Sequence, residues 1–123
     1  MSSVMSLGMN FAAQALQVHS VGMQVTAHNI ANISTDEFRP QVATYAIGSH
    51  GNGVELESVR QPDLAMGSQK AGLVNPLTGK QASGTELARE MVHMIATQHG
   101  FDANAAVIRT ADEMTGTLLN IKA

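Results

Sequence analysis

The N-terminal third of the chain repeats its apolar residues in alternating steps of four and three. Met5, Met9, Ala12, Leu16, His19, Met23, Thr26 and Ile30 follow one another in this way, which is the a/d seam of a heptad helix. Leu7, Phe11, Val18, Val21 and Val25 mark a second apolar flank on the same predicted helix. A helix of about 28 residues would be roughly 40 Å long. The same alternation returns near the other end through Leu87, Met91, Met94, Gln98, Phe101, Ala105, Ile108, Asp112, Thr115 and Leu119. A helix of about 35 residues there would span roughly 50 Å. Ser83 and Glu86 have capping-box spacing, with Thr85 as a competing N-cap.

Between these segments the helical period disappears. Gln41-Val-Ala-Thr-Tyr-Ala-Ile47 alternates imperfectly, and Val54-Glu-Leu-Glu-Ser-Val59 alternates apolar against polar, as a half-buried strand should. The turn cluster Gly48-Ser-His-Gly-Asn-Gly53 joins them into a predicted β-hairpin. Pro62, Pro76 and Gly79 punctuate an irregular remainder, with a short strand expected near Leu73-Val74. The predicted fold is mainly α: an antiparallel, coiled-coil-like pair of long N- and C-terminal helices carrying a small β-hairpin insert. The divisions fall at 1–35, 36–83 and 84–123.

Charge sharpens this picture. No Asp, Glu, Lys or Arg precedes Asp36. An uncharged helix with two apolar flanks is a poor surface element and calls for contacts on more than one side. Gly8, Gly22, Gly100 and Gly116 each lower helix propensity by about 1 kcal/mol relative to Ala, so both helices lean on partners. Surplus apolar surface on the first helix implies other chains. Asn29 and Asn32 can hydrogen-bond backbone groups and close the helix ahead of the insert, leaving Ile30 and Ala31 on the packing side.

Composition removes most chemistry. Aromatic residues make up 3% of the chain, whereas there are eight Met, a balance that suits helix seams better than a globular core. The net charge of −3 leaves no basic stripe for nucleic acid. There is no Cys, and the five His lack i,i+4 ligand spacing, so no metal site is expected. Nucleophile and phosphate-loop motifs are absent, and the pairs Glu55/Glu57 and Asp112/Glu113 read as solvated faces. No cofactor, small-molecule substrate, membrane span or catalytic residue is expected. No positive segment precedes the apolar N-terminus, so it does not read as a secretory signal peptide.

Both ends resemble one family. Thr26-Ala-His-Asn-Ile-Ala-Asn-Ile-Ser-Thr-Asp-Glu-Phe38 resembles the N-terminal signature of bacterial flagellar basal-body rod and hook proteins, in which Asn-Ile-Ala-Asn precedes Thr, a Pro-Gly pair and an aromatic. The run from Leu87 through Met114, continued by Leu118-Leu-Asn-Ile121, is similar to the family's C-terminal segment. The resemblance implies a structural subunit of the flagellar basal body, in the periplasmic rod, exported without a cleaved signal peptide. Its partners would be other copies of itself and other rod or axial proteins. The short insert is most similar to the proximal rod members. Expected packing residues are Met5, Met9, Leu16, Met23, Asn29, Ile30, Ala31, Asn32 and Phe38 at one end. At the other they are Leu87, Met91, Met94, Phe101, Ala105, Ile108, Met114, Leu118 and Leu119. Two positions depart from the family pattern: its Pro-Gly is Asp36-Glu37 here, and its Asn ahead of the C-terminal helix is Gly84.

Overall fold

The computed structural model describes residues 2–61 and 74–122. Two helices, α1 (Ser2–Ala31) and α2 (Leu87–Lys122), flank a hairpin of strands β1 (Val42–Ile47) and β2 (Val54–Arg60). The expectations for Pro62 and Leu73 lie outside the described residues. Val74 forms a single antiparallel bridge with Gln81.

α1 and α2 pack against each other and run antiparallel. Asn29 touches Glu90, Gly22 approaches Thr97, and His19 lies on Gly100, so advancing along one helix retreats along the other. α1 presents Ala12, His19, Gly22, Thr26 and Asn29 on one stripe, buried except for the half-buried His19. On α2 the sheltered line is Glu90, Met94, Thr97, Phe101, Asn104, Ile108 and Ala111. Its four–three alternation is that of a coiled coil, and it shares only Met94, Phe101 and Ile108 with the line expected from apolarity. Glu90, Thr97 and Asn104 are polar, yet each satisfies itself nearby: Glu90 accepts from Asn29, Thr97 donates to the His93 carbonyl, and Asn104 donates to the Gly100 carbonyl.

The second apolar flank of α1 is covered by the chain's own hairpin. Val18 and Val21 line a cleft whose opposite wall is Val54, Leu56 and the 48–53 loop, and a Cβ on Gly53 would collide with Gln14 and crowd Phe11. Part of the surface assigned to other chains is therefore buried within this one. In the hairpin, Ala43 faces Val59, Tyr45 faces Leu56 and Ile47 faces Val54. A register shift leaves Glu57 as a bulge between Leu56 and Ser58. The extra residue places Val59 on the face of Leu56, because the run departs from the expected alternation where Glu57 and Ser58 are both polar.

α1 stops at Ala31, between the two asparagines expected to close it, with the Asn32 side chain donating to the His28 carbonyl at 2.9 Å and accepting from Thr35 at 3.1 Å. At the start of α2 the Ser83–Glu86 capping box does not form. Buried Ser83 instead accepts the Thr85 N–H at 3.2 Å, and the first helical turn begins with Glu90 N–H donating to Glu86 C=O at 3.0 Å.

Glu37 occupies the left-handed region at φ 61°, the conformation a glycine accepts without steric cost. Its amide donates to the Gln81 carbonyl at 2.7 Å, so the turn after α1 is held in place at the expense of strain. Glu37→Gly is expected to raise stability by about 0.5–1 kcal/mol, since the relieved backbone strain exceeds the added chain entropy. The exposed Lys80–Glu37 pair at 3.5 Å offsets little of this gain. Comparing thermal melting of the two proteins checks it; an unchanged or lower midpoint would show that the turn is unstrained.

Candidate assembly surface and helix neck

Where α1 ends and α2 begins, polar side chains tie three segments into a neck. Asn29 is 1% exposed. Its Oδ1 accepts the Gln41 N–H at 2.8 Å, and its Nδ2 donates to the Gln41 carbonyl at 2.8 Å. One side-chain amide thus pairs both ways with one backbone residue, as a neighbouring strand would. The second Nδ2 hydrogen reaches Glu90 Oε1 at 3.2 Å. Glu90 is only 8% exposed, and a carboxylate so placed needs such donors. Asn29 therefore joins the end of α1, the entry to β1 and the first turn of α2.

Next to this node Phe38 lies edge-on to His28, with ring centroids 5.5 Å apart. The Gly84 N–H donates to the Phe38 carbonyl at 3.0 Å, and a Cβ on Gly84 would stand 3.1 Å from Pro40 Cδ. Glycine suits this close crossing of the two connecting segments. Tyr45 places its hydroxyl over Gly22, and partial burial pushes that phenol up from its ordinary pKa. Among the described residues no group of three or more metal-ligating side chains comes together.

The expected packing residues divide into two sets. Met5, Met9, Leu16, Met23, Ile30, Asn32 and Phe38 are half-buried, Asn29 is buried and Ala31 is exposed. On α2, Met94, Phe101, Ala105 and Ile108 are half-buried, whereas Leu87, Met91, Met114, Leu118 and Leu119 are exposed. With about 100° per residue, Leu87, Met91 and Ile95 lie on one side of the line packed against α1. Val107, Met114, Leu118 and Ile121 lie on the other side, toward the C-terminal end. All seven are exposed. At the start of α1, Val4 and Leu7 are exposed as well; Leu7 lies on the hairpin flank, one turn before Phe11. Sequence reasoning missed Glu90 and Gln41 as partners of Asn29, and it singled out Ser83 and Asp36 without the partners they take here. The seven-residue spacing of Glu90, Thr97, Asn104 and Ala111 was the available sign of the first.

Residues 81–121, spanning the entry to α2 and nearly all of that helix, match the family model described as flagellar basal body rod FlgEFG protein C-terminal. The chain is similar to structural proteins of the flagellar rod and hook. Over 95 residues, 76% of this chain and 13% of the relative, it is 27% identical to the flagellar hook protein FlgE of Helicobacter pylori. Over 78 residues, 62% of this chain and 19% of the relative, it is 30% identical to FlgE of Salmonella typhimurium. FlgE of Caulobacter vibrioides is 42% identical over 52 residues, 42% of this chain and 9% of that protein. The chain thus matches less than a fifth of the length of each of these relatives. They are structural proteins of the flagellum, not enzymes.

Proposed function

We propose that this chain is a structural subunit of the flagellar axial assembly, of the rod type, and polymerises with copies of itself through the outer faces of its helix pair. The observation that carries this reading is the uncovered apolar surface on both flanks of α2. Leu87, Met91 and Ile95 on one side, and Val107, Met114, Leu118 and Ile121 on the other, have no covering element of this chain among the described residues. Among those residues Ala12 and Val18 are the only buried hydrophobic side chains. Such a thin core leaves much of the driving force for folding to be supplied by neighbours. The two flanks point different ways, which fits contacts with two different copies, as open helical stacking requires.

The short insert, 36–83, favours a rod subunit over a hook subunit, and within the rod the proximal protein FlgC. The neighbours would be other copies and other axial proteins, and the place of assembly the periplasmic rod. Met114→Asp with Leu118→Asp puts two charges on one flank without touching the line that packs on α1. The double variant is expected to keep the monomer's circular dichroism and to lose higher assembly, read by sedimentation velocity and negative-stain microscopy across a concentration series. Rod-like particles formed equally well by the variant would sink this surface. A wild-type chain that stays monomeric, or forms only a one-to-one complex, would support a non-polymerising helical-hairpin adaptor instead.

A further inference from the structure

Residues 74–82 cross the neck just before α2, and very little apolar contact holds them there. Leu77 is 93% exposed and Val74 57% exposed. Their position depends on polar bonds to the turn that follows α1. Asp36 Oδ1 accepts Asn75 Nδ2–H at 3.0 Å, and Asp36 Oδ2 accepts the Thr78 hydroxyl. The Glu37 N–H donates to the Gln81 carbonyl, and the Glu37 carboxylate meets Lys80. Asn75 is also the hub of its own turn. Its side-chain oxygen accepts the Leu77 N–H at 3.0 Å, its carbonyl accepts the Gly79 N–H at 2.8 Å, and its N–H donates to the Lys80 carbonyl at 2.8 Å.

We propose that residues 74–82 form a strap latched to the neck by Asp36, and that releasing this latch frees the start of α2 from the turn that ends α1. Among the described residues the carboxylate is the one side chain that holds both Asn75 and Thr78, so its loss unseats both ends of the 75–78 turn together. With the strap unseated, the Gln81 and Gly84 backbone contacts to Glu37 and Phe38 lose the segment that aligns them. The inference concerns the single chain and stands whether or not the chain polymerises.

Among the described residues the charged groups at the latch are Asp36, Glu37 and Lys80. The bonds from Thr78 and Asn75, helped by the Lys80 charge, hold the Asp36 carboxyl below its ordinary range against a small opposing effect of desolvation. A depressed folded-state pKa means that the latch is closed above the usual carboxylate range. It opens as pH falls through the lower value of Asp36 itself. At neutral pH it is therefore a standing positioning device.

Amide hydrogen exchange on the full chain, kept dilute and at neutral pH, tests the latch. In Asp36→Ala the amides of Asn75, Leu77 and Gly79 are expected to exchange roughly tenfold faster or more, the scale of losing hydrogen bonds to a charged group. The Gly84 amide should follow, while the Gln41 amide, held by Asn29, keeps its protection. Thr78→Val should reproduce the effect from the other side of the latch, and Asp36→Asn, which retains an acceptor, should fall between. Unchanged strap protection in Asp36→Ala would overturn the proposal. So would equal loss at Gln41 in both Asp36→Ala and Thr78→Val, because the bonds would then belong to the global fold rather than to a local strap.

Discussion

Asn29→Asp is expected to lower the stability of the chain by about 3–5 kcal/mol, the scale of leaving a buried charge without compensation. The substitution preserves shape and changes only what one atom does. Nδ2 donates to the Gln41 carbonyl at 2.8 Å and to Glu90 Oε1 at 3.2 Å. A carboxylate oxygen in its place would face two acceptors, one of them charged, at a position only 1% exposed. The bond from the Gln41 N–H to Oδ1 would remain, so the loss reports on the donor side alone. Adding Glu90→Gln removes the like charge and supplies a donor, and should restore a good part of the loss. Chemical denaturation of the single and double variants measures both effects. If Asn29→Asp is as stable as the parent, or if the two substitutions are simply additive, Asn29 and Glu90 are not coupled and the neck is held by something else.

This node marks the boundary of what sequence could supply. The apolar periods announced two helices, and the Gly48–Gly53 cluster announced a hairpin between alternating runs, because both patterns are imposed directly by backbone geometry. Partner choice is not periodic in the same way. The face of α2 that meets α1 is marked by Glu90, Thr97 and Asn104, whose polar atoms are satisfied within a turn or by Asn29, so apolarity pointed one residue to the side. The second flank of α1 was legible as apolar, but only the folded hairpin reveals that part of its cover lies in the same chain. The uncovered surface is thereby shifted from α1 toward α2. Asp36 and Glu37 were readable only as departures from a family turn. Their partners Asn75, Thr78 and Gln81 lie about forty residues away, and no local rule links them.

Gly100→Leu should be the most damaging single change along the helix seam away from the neck, with a loss of about 3 kcal/mol, toward the upper end for overpacking. A Cβ on Gly100 would stand 2.7 Å from His19 Cε1 and 2.8 Å from Nε2, so the imidazole already fills the space that any side chain would need. His19 is half-buried between the helices, and to clear a leucine its ring must turn out of the seam or α1 and α2 must part. The gain in intrinsic helix propensity, at most about 1 kcal/mol, does not offset this. Gly8 provides the contrast, because nothing lies within 4 Å of a Cβ there; Gly8→Ala in the dilute monomer should simply gain that propensity. The decisive comparison adds His19→Ala to Gly100→Leu. The leucine then occupies the volume vacated by the imidazole, and most of the lost stability should return. Recovery in the double variant would identify the His19–Gly100 contact as the point that sets the separation of the helices. A Gly100→Leu protein that melts like the parent, or a double variant worse than either single one, would mean that this close crossing is not what holds α1 and α2 in register.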